Sequence, residues 1–229
     1  MPCDAIPVSA GAGYALWADT WDATPSPIVA LEERALRPWI ERLSPHRAVD
    51  IGCGTGRWTA RFGAMGIDVS AAMLAIAASK PGLKGRLAVA DAIALPIASH
   101  SADLVLCTLT LGHIRDHAAA LREFVRILEP GGTLVLTDFH PDAAAQGWRR
   151  TFRRDGQVYE LENYPYTVDE LRDAAPGLVL RECAEATIGE PERPAFERSG
   201  RPELFDAACR VPAVLLTLWT KTGSIGART

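Results

Sequence analysis

From residue 47 onward, short β-branched apolar runs alternate with longer amphipathic stretches, the pattern of a parallel sheet assembled from strand-helix-strand units. The runs at 48–51, 65–68, 86–90, 102–108 and 133–138 read as strands. Between them, Ser70 is placed to cap a helix reaching Ser79, and Asp116 one reaching Leu128. In the second of these, Leu121, Phe124, Val125 and Leu128 share one face, and Glu129-Pro130-Gly131-Gly132 ends it. Upstream, Ser26-Pro27 sets a cap residue before a proline at the first helical position and opens a helix over 28–43. Pro38 is expected to kink or divide that helix. The residues up to Gly13, rich in Ala, Pro and Gly, read as an irregular arm.

After Asp138 the alternation stops, and 141–166 reads as an insertion in which Asp155-Gly156 suits a hairpin turn. Thr167 caps a short helix to Ala174, and 177–187 and 213–222 supply two further strands. A chain of 229 residues, 48% hydrophobic, suffices for one sizeable core. The expected organisation is one domain over 1–229, with an N-terminal lid and helices over 1–45 and a substrate cap over 141–166.

Charge narrows the class of partner. Acidic and basic residues are well mixed and the net charge is -4, so no continuous basic face is expected and nucleic acid is not an expected partner. No apolar run approaches the roughly 20 residues of a membrane span. Residues 1–8 lack the basic-then-apolar pattern of a secretory leader. The expectation is therefore a cytoplasmic protein with no membrane partner. Cys3, Cys53, Cys107, Cys183 and Cys209 are scattered, without a C-x-x-C pair or histidines at ligand spacing, so no disulfide framework and no metal site are expected. Nothing signals an oligomeric state.

The chemistry concentrates at Asp50-Ile51-Gly52-Cys53-Gly54-Thr55-Gly56, where a strand gives way to a helix. Alternating glycines let the backbone approach a ligand closely at the strand's carboxyl end. The dinucleotide pattern G-x-G-x-x-G fails, because Arg57 stands where its third glycine belongs. Asp68, ending the second strand, is placed to accept hydrogen bonds from two ribose hydroxyls, and Asp91, ending the third, one from an exocyclic amine.

Four blocks carry a family resemblance: Val49 to Gly56, Gly66-Ile67-Asp68-Val69-Ser70-Ala71-Ala72-Met73-Leu74, Ala90-Asp91-Ala92-Ile93-Ala94-Leu95-Pro96, and Arg126-Ile127-Leu128-Glu129-Pro130-Gly131-Gly132. Their order resembles class I S-adenosylmethionine-dependent methyltransferases, nearest in flavour to the ubiquinone/menaquinone-biosynthesis type, over about residues 14–140. The resemblance implies a three-layer, Rossmann-like α/β fold whose seven-stranded sheet is mostly parallel with the last strand antiparallel. It implies S-adenosyl-L-methionine as cofactor, S-adenosyl-L-homocysteine as product, and a small-molecule substrate. Gly52, Gly54 and Gly56 would pack on the methionine and ribose part, Asp50 near the methionine amine, Asp68 on the ribose, Asp91 and the Ala92 backbone on the adenine. Cys53, Val69, Met73 and Thr108 complete the expected cofactor contacts. The link from Gly56 to Asp68 is shorter than the family norm, so the first helix after the turn should be clipped.

For the transfer itself, His113 follows the fourth strand with a pKa range suited to a base, with hydrogen bonding of the loop and shaping of the cofactor pocket as its alternative role. His140, beyond the fifth strand, is a second candidate, with ordering of the turn before Pro141 as its alternative role. Tyr14, Trp17 and Trp21 resemble the family's N-terminal lid, with aromatic faces placed over a sulfonium, although packing of the arm alone would account for them. Trp21, Arg150 (among Arg149, Arg153 and Arg154) and Tyr164 are candidates for substrate contact, since a guanidinium grips carboxylate or phosphate and this insertion varies across the family. Two other functions share these motifs: a non-methylating, cyclisation-type enzyme that uses the same cofactor, and a catalytically idle cofactor-binding scaffold.

Overall fold

In the computed structural model, which describes residues 5–223, the chain opens with strand β1 (Ile6–Val8) and helix α1 (Ala10–Trp21) where composition suggested an irregular arm. Two interactions outweigh the glycines. The Ser9 side chain accepts the Ala12 backbone N–H as an N-cap, and β1 finds a partner strand far along the chain. Helix α2 (Pro27–Ile40) starts as expected, capped by the Ser26 side chain on the Val29 N–H. Pro38 does not divide it, because it lies in the last turn and the chain leaves the helix at Ile40, short of Leu43.

The alternation then unfolds in order: β2 (Ala48–Ile51), α3 (Arg57–Phe62), β3 (Met65–Asp68), α4 (Ala71–Ala78), β4 (Leu87–Val89), β5 (Ala102–Thr108), α5 (His117–Ile127) and β6 (Leu128–Phe139). Helix α3 has only six residues, the clipped helix that the short Gly56-to-Asp68 link requires. Ser70 and Asp116 cap α4 and α5 through the Met73 and Ala119 N–H groups. Strand β6 begins directly after α5 and carries Pro130-Gly131-Gly132 as an irregular lead-in. Leu128 pairs with Ala102, and regular pairing resumes only at Thr133 with Leu104.

Beyond β6 come α6 (Pro141–Ala145), β7 (Thr151–Arg154), β8 (Gln157–Leu161), α7 (Val168–Ala174), β9 (Leu178–Thr187), α8 (Arg193–Arg198), α9 (Phe205–Ala208) and β10 (Pro212–Lys221). The hairpin β7–β8 turns at Asp155 (φ 48°) and Gly156 (φ 77°), both left-handed as a type I′ turn demands. The short helices α6, α8 and α9 carry too few periodic positions to be legible beforehand.

Seven strands form one sheet in the order β4-β3-β2-β5-β6-β10-β9, and β10 runs antiparallel to both its neighbours. Strand β5 shows why the fold has three layers. Val105 and Cys107 face a cluster with Leu121 and Phe124 of α5 and Leu171 of α7, while Leu104 and Leu106 face Leu31 and Leu36 of α2 and Phe196 of α8. Both faces are apolar because both are covered. Strands β1, β8 and β7 form a separate sheet in which β1 lies parallel to β8. Helix α1 packs directly on this sheet: Trp17 stacks on Phe152 with centroids 4.6 Å apart, and Arg154 pairs with Asp19. A Cβ on Gly13 would lie 2.3 Å from Cδ2 of Leu161.

Among the described residues no helix is long and apolar enough to cross a membrane, and no cluster of three or more His, Cys, Asp or Glu is placed to hold a metal ion. Cys3 lies outside the described residues; Cys53, Cys107, Cys183 and Cys209 are free.

Candidate functional site

The chain leaves β2 through three left-handed glycines, Gly52 (φ 66°), Gly54 (φ 54°) and Gly56 (φ 85°). Only glycine adopts this conformation without strain. The Gly52 and Cys53 N–H groups both donate to the Ile67 carbonyl, at 2.7 and 3.0 Å, which pins the turn to β3. Behind it sits Thr110, whose Cγ2 would lie 2.1 Å from a Cβ on Gly52 and whose hydroxyl donates to the Gly52 carbonyl at 3.2 Å. Thr110 is delivered there by Leu109, a buried residue at φ 51° just past β5. Gly54 is bare, since a Cβ on it would meet no protein atom within 4 Å.

The turn forms one wall of a cavity of about 440 Å³. Asp68 lies on this wall with both oxygens engaged, Oδ2 by the Gly54 N–H and Oδ1 by the Ser70 N–H, each at 2.8 Å. A carboxylate has about four lone-pair sites, so two acceptor positions remain for ribose hydroxyls. Burial raises the Asp68 pKa, opposed by these backbone N–H groups. Val69 and Ile93 line the same cavity although 55% and 42% exposed, bare apolar surfaces suited to the faces of a planar ring. Asp91 and Ala92 stand beside them, and the Asp91 carboxylate accepts the Ile93 N–H at 3.1 Å. Glycine turn, ribose-sized acceptor and apolar slot with an acidic edge fit the adenosyl part of S-adenosylmethionine.

The cavity brings together most of the residues singled out in the sequence. Cys53, Met73 and Thr108 line it on the sheet side, and Tyr14, Trp21, His113 and Arg150 on the opposite side. Burial holds the Cys53 thiol well above the usual range, and it stays protonated. Four expected contacts do not reach the cavity wall. Asp50 is turned beneath the turn, where Thr59 donates to Oδ2 at 2.6 Å and burial pushes its pKa up to about 6. Gly56 faces Leu83 of the core. Trp17 faces Phe152 and sends its indole N–H to Thr24. The Tyr164 phenol lies outside, on Arg115 and Glu162.

His140 also lies off the cavity wall. Instead of facing the crevice it is buried as the N-cap of α6, with Nδ1 accepting the Asp142 N–H at 3.1 Å. Pro141 at the first helical position fixes this geometry, and the ring contributes to neither wall of the cavity.

The lid side is a hydrogen-bonded chain. His113 Nδ1 donates to the Glu162 carbonyl at 2.6 Å, so Nε2 accepts from the Tyr14 hydroxyl at 3.0 Å. Arg150 donates to the same phenol oxygen at 3.3 Å and to Asp138 Oδ1 at 3.2 Å. Burial, then the positive charge of Arg150, pushes the His113 pKa down to about 3, so the ring is neutral near neutrality. Burial raises Asp138, and the Arg150 charge opposes the rise. Tyr14 is likewise raised by burial against Arg150. That 9–14 and 150–162 meet is not legible in local patterning, since β1 and β8 pair across more than half the chain. It also passed over Arg57, Trp58, Val29 and Arg115 as lining residues, because they belong to no strand-end motif.

Known proteins resemble this chain in sequence and in fold. Residues 49–136 match the family described as Methyltransferase domain. The chain is 30% identical over 203 residues to the methyltransferase GfsG of Streptomyces halstedii, an alignment covering 79% of this chain and 69% of that one. Among solved structures, an S-adenosylmethionine-dependent methyltransferase from Mesorhizobium loti is 26% identical with a TM-score of 0.62, over 86% of this chain and all of that one. The [4+2]-cyclase SpnF superposes with a TM-score of 0.67 at 17% identity over 96% of this chain and 99% of its own, a likeness of fold.

Proposed function

Because the chain belongs to the class I S-adenosylmethionine-dependent methyltransferases, we propose that it methylates a small-molecule acceptor held between the glycine turn and the Tyr14-His113-Arg150 side of the cavity. In this reading 1–229 work as one domain, with the N-terminal lid and helices over 1–45 and a substrate cap over 141–166. The observation that carries it is the wall opposite the glycine turn: Tyr14 and Trp21 of α1, with Arg150 and Glu162 from either side of the β7–β8 hairpin, line the same cavity as Gly52, Gly54 and Asp68. A cavity of this size suits a small acceptor beside the cofactor.

The bound cofactor supplies an electrophilic methyl on a sulfonium. Asp68, Gly52 and Gly54 fix the adenosyl end, while Val69 and Ile93 cover the adenine. Much of the rate in such a displacement comes from holding nucleophile and methyl in line, and Tyr14, Trp21 and Arg150 are the side chains placed to do so. His113, held neutral and weakly basic, is suited to accepting a hydrogen bond more than to removing a proton from an acceptor of high pKa. The acceptor that fits is therefore one already nucleophilic at neutral pH, or one acidic enough to ionise.

The test is incubation of purified protein with S-adenosylmethionine carrying an isotopically labelled methyl and a panel of quinone-like, polyketide, sugar and amino-acid-derived acceptors, read by mass spectrometry. Gain of one labelled methyl with release of S-adenosylhomocysteine supports the reading. An acceptor rearranged at constant mass with the cofactor intact would favour the cyclisation-type alternative, which the SpnF likeness keeps in view. Failure to bind S-adenosylmethionine would favour an idle scaffold.

A further inference from the structure

Three cations line the cavity: Arg57, Arg115 and Arg150. Two are committed to the lid side. Arg150 bonds Asp138 and Tyr14, and Arg115 lies over the Tyr164 ring and donates to its hydroxyl at 2.9 Å. Arg57 stands alone at the glycine-turn end, beside Thr55, Trp58 and Val29.

Its bonding is incomplete. Arg57 Nη2 lies 2.7 Å from Oε2 of Glu32, a residue of α2 with no exposed surface, yet neither that oxygen nor Arg57 Nη1 has a hydrogen-bond partner. The contact is close in distance and poorly aligned. The other Glu32 oxygen accepts from Thr137 at 3.0 Å, which holds the carboxylate in place. The guanidinium also lies over the Trp58 ring, 4.8 Å from its centroid. A donor buried at a cavity wall without an acceptor calls for an explanation, and a ligand that supplies the acceptor is one. The guanidinium has five N–H donors, so a single carboxylate leaves room for a second in the same plane.

We propose that Arg57, positioned by Glu32, binds the α-carboxylate of the cofactor's methionine end. The inference rests on the assignment of the cavity to S-adenosylmethionine. With the adenine between Val69 and Ile93 and the ribose at Asp68, the amino-acid end runs past Gly52 and Gly54 toward Thr55. Arg57 is the cation that meets it there. Asp50, the acidic residue of the turn, points beneath it, and Asp22, which accepts from Thr55 at 2.6 Å, is already paired with Lys80 at 2.7 Å.

Calorimetry with three ligands tests this: S-adenosylhomocysteine, its decarboxylated analogue, and 5′-methylthioadenosine, which lacks the whole amino-acid end. The wild-type protein should bind S-adenosylhomocysteine at least about tenfold more tightly than the decarboxylated analogue, the scale of a lost charge-assisted bond. Arg57→Gln should remove that preference while binding 5′-methylthioadenosine within about twofold of wild type, which also shows that the variant is folded. Arg57→Lys, which keeps the charge and loses the fork, should retain part of the preference. Equal binding of the two longer ligands by the wild type overturns the proposal, as does a loss in Arg57→Gln that is the same for all three. A wild-type protein that binds none of them removes the cofactor assignment itself, and the proposal with it.

Discussion

The Tyr14 hydroxyl lies 3.0 Å from Nε2 of His113, joining the first helix of the chain to the loop that follows the central strand. His113 Nδ1 is already donating to the Glu162 carbonyl, so the tautomer is fixed and the phenol must donate. The two side chains therefore act as a unit. In a double-mutant cycle of Tyr14→Phe and His113→Ala, read as the affinity for S-adenosylhomocysteine and as turnover, a coupling of about 1 kcal/mol is expected. His113→Ala alone should keep cofactor binding and lower turnover. Strict additivity, or full activity of His113→Ala, would separate the two residues and remove His113 from the chemistry.

Asp68 offers a direct test of the cofactor's orientation. Asp68→Ala should weaken S-adenosylhomocysteine by about 1.5–3 kcal/mol, the range for hydrogen bonds to a charged group. Calorimetry at neutral pH reads it. Unchanged affinity would move the ribose away from the end of β3.

Gly52 faces two constraints at once, a left-handed backbone and the Thr110 side chain. Gly52→Ala should lower stability by more than about 2 kcal/mol in denaturant unfolding, with loss of cofactor binding. Thr110→Gly in the same chain removes all three close contacts and should recover part of the loss, leaving the cost of the backbone angle. Full recovery would mean that the angle costs nothing.

Acid stability carries the signature of two buried groups of opposite sign. His113, at about 3 in the fold against an ordinary 6.5, refuses a proton that the unfolded chain accepts, so its contribution falls as pH drops below about 6.5. Asp50, at about 6 against 3.8, holds a proton in the fold that the unfolded chain gives up, so its contribution falls as pH rises through that window. Melting temperature followed from pH 4 to 8 should decline less toward acid in His113→Gln, and less toward neutrality in Asp50→Asn. Parallel curves for all three proteins would show that neither group titrates in this way.

The central sheet and the cofactor wall were legible because they are written locally. Each strand from β2 to β6 is a short apolar run next to its own cap or turn residue, and Gly52, Asp68 and Asp91 mark strand ends by type and spacing. The lid was not legible, for the opposite reason. Helix α1 is rich in alanine and glycine, and its order comes from a Ser9 cap and from contact with β7 and β8. His140 illustrates a second limit: its position after a strand is the same whether the ring faces the cavity or caps the next helix, and Pro141 decides between them. Asp50 is similar, since a residue within β2 has two faces and the spacing alone does not say which one meets the ligand.

Strand β1 pairs in parallel with β8, Ile6 opposite Tyr159 and Val8 opposite Leu161. During synthesis this strand leaves the ribosome long before its partner exists. The glycine turn and the first parallel strands can assemble while Ile6, Leu16 and the three tryptophan and tyrosine rings of α1 still have nothing to dock on. A chain interrupted before β8 therefore carries Tyr14, Trp17 and Trp21 without the surface on which α1 docks, and apolar surface left uncovered in this way is prone to aggregate.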